Sequence, residues 1–263
     1  MTKVIMMGTG AAPGVPALAK GWGRCDPNNP KNRRRRIGTY IDFGTTKFLI
    51  DTSPDLRQQL LDNNIRFVDA VLYTHAHADH LHGIDDLREL NRISGKPIDV
   101  YALSETMKEI KERFSYLLKN ECSDKGAFCA SLTPHILDQT QDCYIGDVKI
   151  GVLELSGHMV PSNGYVFNDG EIVYIADCKQ ILKSALKKIK IPPKLLIMPL
   201  TVIKSHYDEF YHMELDKLLE YVNLIKPKRT LINHMAIECD YEEVNSLTPD
   251  DVQPAFDNMV IEF

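Results

Sequence analysis

Apolar residues follow two rhythms along this chain. In the first 75 positions they gather in short, dense runs that read as strands, at residues 3–7, 37–43, 47–51 and 69–73. The turn Gly44-Thr45-Thr46 joins the second and third runs as a hairpin. Between the runs the period lengthens to that of a helix. Residues 54–63 open on Pro54, which suits a first helical turn, and place Leu56, Leu60 and Leu61 on one face. A helix is expected over 83–92, and another over 104–119, where Met107, Ile110, Phe114, Leu117 and Leu118 keep helical spacing.

The second half alternates in the same way. Strands are expected at 149–155, 164–167, 172–176, 195–199 and 230–233, with helices at 180–190 and 213–225. The Leu and Met stripes of these helices read as core-facing. No repeat and no Ser/Gly-rich linker interrupts the pattern, so residues 1–263 read as a single domain of sheets covered by helices. The segment 8–36 carries little periodicity, and a loop of that length inside a domain is usually functional or disordered. Its GTG at 8–10 lacks the rest of a GxGxxG and gives no nucleotide cradle.

Composition narrows the class. The chain is 44% hydrophobic and 25% charged, as in ordinary globular proteins. No apolar run approaches the roughly 18 residues a membrane span needs. MTKVIMMGTG lacks the apolar core of a signal peptide, so a cytoplasmic protein without a membrane partner is expected. Cys25, Cys122, Cys129, Cys143, Cys178 and Cys239 are scattered with no CxxC pair and read as free thiols. A formal charge of −5 argues against sequence-independent binding of duplex nucleic acid. The exception is Arg33-Arg34-Arg35-Arg36. Such a run is usually a solvated face, yet guanidinium forks also hold phosphate.

The chemistry concentrates in THAHADHLHG, residues 74–83, which holds four of the nine histidines. His75 lies just past a strand end, and in extended backbone His75 and His77 point the same way, toward one ion. Asp79 and His80 follow at a bend and aim differently, which suits a second ion. Imidazoles with a carboxylate fit zinc, manganese or iron. An accidental polar loop is the rival reading, and the clustering with Asp79 speaks against it. A dimetal centre needs further ligands, and His158, Asp177 and His234 each follow an expected strand. Any one of them alone would read as a capping or surface residue; together they form a constellation. Asp51, at another strand end, reads either as a carboxylate orienting an imidazole from behind or as the cap of the helix at 54–63.

His75-Ala76-His77-Ala78-Asp79-His80 followed by Gly83 resembles the HxHxDH signature of the metallo-β-lactamase fold, and His158, Asp177 and His234 match its later motifs in order. The resemblance implies an α+β fold, an αββα sandwich of two mixed sheets flanked by helices, with two divalent metal ions, zinc or manganese, at one sheet edge. It implies His75, His77 and His158 on one ion, Asp79, His80 and His234 on the other, and Asp177 bridging. GTGAAPGVP at 8–16, the arginine run and HMVPSNGY at 158–165 resemble the phosphoribosyl cyclic phosphodiesterase family and, more distantly, tRNase Z.

That resemblance implies a phosphodiesterase in which a metal-bridging hydroxide attacks a small phosphate ester, cyclic or nucleotide-like. A tRNase Z-like nuclease and a thioesterase or lactonase of the same fold remain the alternatives. His212 and Asp79 are the candidate catalytic residues. His212 would protonate the leaving group, with a simple capping histidine as the rival reading, and His206 is a weaker version of the same idea. Arg34, Arg36 and Ser162 are the candidate substrate-binding residues, and alternation along an extended segment leaves Arg33 and Arg35 as the other pair. His82 and His135 read as structural or exposed. Relatives also carry a structural zinc on a Cys-rich N-terminal loop with a histidine three residues after the last ligand. Here the loop keeps only Cys25 and that position is Ile237, so no structural zinc is expected, and Trp22 with the Asp26–Pro30 turn should order the loop instead. A homodimer is expected by analogy with the family.

Overall fold

The computed structural model describes residues 1–118, 132–205 and 211–263. Cys122, Cys129, His206 and the expected helix end at Lys119 lie outside the described residues.

The chain begins with β1 (Lys3–Gly8), β2 (Gly38–Asp42), β3 (Lys47–Ile50), α1 (Leu56–Asp62), β4 (Ala70–Leu72) and α2 (Ala78–Leu81). It continues with α3 (Leu87–Ser94), β5 (Ile98–Ala102), α4 (Ser104–Arg113), β6 (Leu132–Ile136), β7 (Cys143–Ile145), β8 (Val148–Ser156), β9 (Asn163–Phe167) and β10 (Ile172–Tyr174). After these come β11 (Gln180–Ile181), α5 (Lys183–Leu186), β12 (Leu195–Pro199), α6 (Leu215–Ile225), β13 (Thr230–Asn233), α7 (Tyr241–Ser246), β14 (Val252–Pro254) and β15 (Met259–Glu262).

Two mixed sheets result, as expected. One runs β15-β1-β2-β3-β4-β5-β6 and the other β11-β8-β9-β10-β12-β13-β14, with β7 also on β8. Each sheet turns from antiparallel to parallel midway, at β3–β4 and at β10–β12. The period-2 alternation of the strands explains the layering. Val4, Met6, Ile41, Phe48 and Ile50 enter the core shared by the sheets, whereas Ile5, Met7, Tyr40 and Leu49 face the helices outside the first sheet. Truncating one of these buried side chains to Ala should cost roughly 2–5 kcal/mol.

Three differences from the sequence expectations have physical causes. The helix expected over 180–190 shrinks to α5, because Gln180–Ile181 pairs with Leu155–Ser156 as an edge strand. The helix expected over 83–92 divides into a 3-10 turn at Ile84–Asp86 and α3. Strands β5, β6, β14 and β15 were not visible as patterns. They are short, and pairing partners far along the chain hold them, as Ile261 opposite Val4 illustrates.

What matters for function is the edge where parallel strands end, the place where α/β sheets gather ligands. Asp51 follows β3, Thr74 and His75 follow β4, Asp177 follows β10, Thr201 follows β12 and His234 follows β13.

Candidate dimetal site

Short hydrogen-bonded turns set each imidazole. Asp51 leaves β3 in the left-handed region (φ 61°) and His234 leaves β13 at φ 57°, non-glycine conformations that persist only where surrounding structure enforces them. Asp51 is fully buried and accepts three bonds. Thr74 donates its N–H to Oδ1 and its hydroxyl to Oδ2, each at 2.8 Å, and His80 Nδ1 donates to Oδ2 at 2.7 Å. With its proton committed to Asp51, the Thr74 hydroxyl accepts from His75 Nδ1 at 3.0 Å. Thr201 Oγ1 stands 3.2 Å from His234 Nδ1 in the same way. The network therefore leaves the Nε2 lone pairs of His75, His80 and His234 facing inward.

Seven side chains meet there in two groups. His77 Nδ1 lies 3.2 Å from His75 Nε2 and 3.0 Å from His158 Nε2. Nitrogens bound at 2.0–2.1 Å to one tetrahedral zinc stand about 3.3 Å apart, so this spacing fits a shared ion. In the second group Asp79 Oδ2 lies 3.4 Å from both His80 Nε2 and His234 Nε2. Asp177 Oδ2 is 3.1 Å from His234 Nε2 and 3.6 Å from His80 Nε2, and its carboxylate also clusters with His75 and His80. Asp177 thus touches both groups.

The electrostatics also fit cations. Burial pushes the His75 imidazole well below its ordinary pKa and lowers His77 and His158, so these rings present lone pairs. Burial opposes a proton on His80 too, but the charges of Asp51, Asp79 and Asp177 outweigh it and raise His80 well above the usual value. Against the cost of burial, His80 and His234 hold the Asp79 carboxyl down to about 2, and the same two rings keep Asp177 well below the carboxylate range. Three carboxylates around one buried ring call for positive charge. Among the described residues His80 Nε2 and Asp177 Oδ1 are buried without a hydrogen bond, as ligand atoms would be.

A chain matched over residues 46–235 by the model of the β-lactamase superfamily domain carries this geometry. It belongs to the β-lactamase superfamily. Its fold is the metallo-β-lactamase fold. A diphosphatase of the PhnP family has a crystal structure similar to this one (TM-score 0.85, 27% identity, 100% of this chain and 98% of that one). The short form of human tRNase Z is similar in fold (TM-score 0.71, 20% identity, 99% of this chain and 98% of that one). By sequence, an octanoyltransferase of Porphyromonas gingivalis is 26% identical over 98% of this chain and 51% of its own length. A ribonuclease Z of Methanopyrus kandleri is 27% identical over 58% of this chain and 50% of its own. The chain spans about half the length of the curated relatives it matches.

This superfamily member gathers more than the seven. His212 Nδ1 lies 3.8 Å from Asp177 Oδ2, and the ring stacks on His234 with centroids 5.7 Å apart. Burial, partly offset by Asp177, pushes His212 down to about 4. Helix α6 starts only at Leu215, with Glu214 as its cap, so His212 is not in a helical first turn and burial rather than a helix terminus depresses it. His158, Asp177 and His212 also form a group that could hold an ion. His82 caps the end of α2, exposed beside Phe114, and His135 stacks on Tyr101, so neither joins the cluster.

The arginine run is placed differently from expectation. Arg34 is only 2% exposed, and its guanidinium donates to Asn32 Oδ1, Cys25 Sγ and the Ala236 carbonyl, which packs it into the core of the loop. Arg36 grips Asp55 with Nε (2.9 Å) and Nη2 (2.6 Å), and Asp79 adds to its charge environment. Arg35 pairs with Asp62, and Arg33 lies over the Trp22 ring. The loop is ordered around Trp22, Cys25 and Ile237 together with Val15 and Ala17, and Asp26 accepts from Asn28 within the turn. Ser162 is buried beside β9 with an unpartnered hydroxyl. Thr74 and Thr201, which hold His75 and His234 from behind, are the candidate residues the sequence reading missed. Thr74 could have been found from its place immediately before His75; nothing local marks Thr201.

Proposed function

We propose that this protein is a dimetal-dependent phosphodiesterase acting on a small phosphate ester, cyclic or nucleotide-like. The single observation that carries this reading is His212, an imidazole brought to the two ligand groups from a segment of its own. Thioester hydrolysis expels a thiolate, which leaves without a proton, whereas a phosphodiester expels an alkoxide that must be protonated.

In this reading His75, His77 and His158 hold one divalent ion, Asp79, His80 and His234 the other, and Asp177 both. When bound, the two ions make a nucleophile available from water at neutral pH and offset charge developing on the phosphate. Asp79, whose carboxyl His80 and His234 hold down to about 2, supplies negative charge to the second group and would orient the nucleophile. His212 buries Nδ1 toward Asp177, so proton delivery falls to Nε2. An anionic phosphate beside the ring raises its proton affinity, countering the burial that lowers it. Ser162 and Arg36 are the groups we assign to the phosphate oxygens, Arg36 by exchanging Asp55 for the substrate.

Acyl transfer, the reaction named for the Porphyromonas protein, is less well supported. The buried thiols Cys25, Cys178 and Cys239 all have raised pKa values, driven by burial, which is the opposite of an activated nucleophile. A tRNA-processing activity has the ribonuclease Z similarity in its favour and the −5 charge against it.

The test is a metal assay followed by turnover of bis(p-nitrophenyl) phosphate, 2′,3′-cyclic nucleotides, an acyl thioester and a tRNA precursor. Phosphodiester turnover with two bound ions is expected. Thioester turnover alone would sink the reading, and cleavage of the precursor alone would replace it with the nuclease.

A further inference from the structure

A cleft of about 160 Å³ opens beside the cluster, with His77 in its wall. One side is the face of α4 that carries Glu105, Glu109 and Arg113; the other is Val160 and Pro161, just after His158. The His77 ring therefore belongs to both spaces, its Nδ1 facing His158 Nε2 at 3.0 Å. None of these cleft side chains other than His77 takes part in the chemistry proposed above.

The polar groups of the cleft are not equivalent. Arg113 is committed twice: Nη2 pairs with Glu109 at 2.6 Å and Nη1 donates to the Ala76 carbonyl at 3.0 Å. That bond ties α4 to the loop between the two ligands His75 and His77, and it consumes the positive charge. Glu105, exposed in the first turn of α4, accepts from the hydroxyl of Ser104 at 2.8 Å and from its own backbone N–H. Two carboxylates against one guanidinium leave the cleft net negative, directly beside a centre suited to cations and phosphate. A carboxylate accepts hydrogen bonds from hydroxyl groups and repels a further phosphate. The cleft is also below the roughly 300 Å³ at which drug-sized pockets begin, so it suits one small polyol unit.

We propose that this cleft is the subsite for one ester arm of the substrate, and that Glu105 makes it select an uncharged, hydroxyl-bearing arm over an arm carrying a second phosphate. The proposal rests on the phosphodiesterase reading. It deepens that reading by naming what the phosphate is esterified to.

The test uses the metal-loaded full-length protein and two matched esters, glyceryl p-nitrophenyl phosphate and its analogue phosphorylated on the terminal hydroxyl. Wild type should favour the uncharged arm by about tenfold or more in kcat/KM, the scale of one hydrogen bond to a charged group. Glu105→Gln should reduce that preference and Glu105→Lys should abolish or invert it. Calorimetric binding of glycerol 3-phosphate against glycerol 1,3-bisphosphate should move in parallel, so the preference is readable without turnover. An unchanged preference in both variants, with wild type active on the esters, overturns the subsite and leaves the phosphodiesterase standing. Absence of turnover on these esters and on bis(p-nitrophenyl) phosphate sinks the phosphodiesterase. With no diester cleaved the cleft has no ester arm to select, and the subsite falls with the reading it rests on.

Discussion

Behind three of the inward-facing nitrogens stands an oxygen that holds the ring: Asp51 for His80, Thr74 for His75, Thr201 for His234. Asp51→Asn keeps the shape but reverses a donor–acceptor match at His80 and Thr74. It should weaken metal binding about 10–100-fold, read by titration against a metal buffer; unchanged affinity would remove Asp51 from the support of the site. His212→Ala should lower kcat about 10²–10⁴-fold with metal content retained. A fall in metal content instead would make His212 a ligand, as its grouping with His158 and Asp177 allows. Asp51 was legible as a polar residue at a strand end, but whether it capped a helix or backed a histidine was open. The fold decides for the histidine: the N-cap of α1 is Asp55.

Among elements, the metal loop depends on how closely α2 docks to the segment after β3. Thr52 N–H donates to the His80 carbonyl at 2.7 Å, and Gly83 N–H to the Thr52 carbonyl at 2.8 Å. A Cβ on Gly83 would lie 1.9 Å from the Ser53 carbonyl oxygen. Gly83→Ala must push these segments apart, and a loss of roughly 1–3 kcal/mol is expected in denaturant unfolding. A second junction is Asp257, in the turn between β14 and β15, which accepts from Thr9 N–H and hydroxyl and from Arg35 N–H. Burial pushes its carboxyl up to about 6. A raised carboxyl holds its proton in the folded state while the unfolded chain, near 3.8, has lost it. The folded form therefore binds more protons between about pH 4 and 6, and this contribution to stability is lost as pH rises through that window. Urea midpoints of wild type and Asp257→Asn across pH 4 to 7 should diverge accordingly, wild type losing ground relative to the variant toward pH 6. Parallel curves would show that Asp257 titrates normally.

Across the whole molecule, two sheets and their switch from antiparallel to parallel pairing bring five strand ends to one edge. Cations held there by groups from both sheets would bind the folded state and not the unfolded one. Saturating metal should therefore raise the melting temperature, by about 2.7 kcal/mol of stability at 100 times Kd, and a chelator should reverse it. A melting temperature indifferent to metal would mean that the cluster binds no ion in the folded protein.

How much of this was readable beforehand depended on the range of the physics involved. Strand and helix rhythms, the HxHxDH stretch and the strand-end placement of His158, Asp177 and His234 are written in the chain itself, because periodicity and local backbone geometry act over a few residues. The partners of the arginines emerge only from folding. Arg34 and Arg36 look alike in the run, yet one is claimed by Cys25 and Ala236 and the other by Asp55. Long side chains take the partner that folding brings to them, and those partners lie 9, 202 and 19 residues away. The same holds for Thr201 and for the cleft beside His77, where α4 and the Val160–Pro161 segment meet only once the sheets have packed.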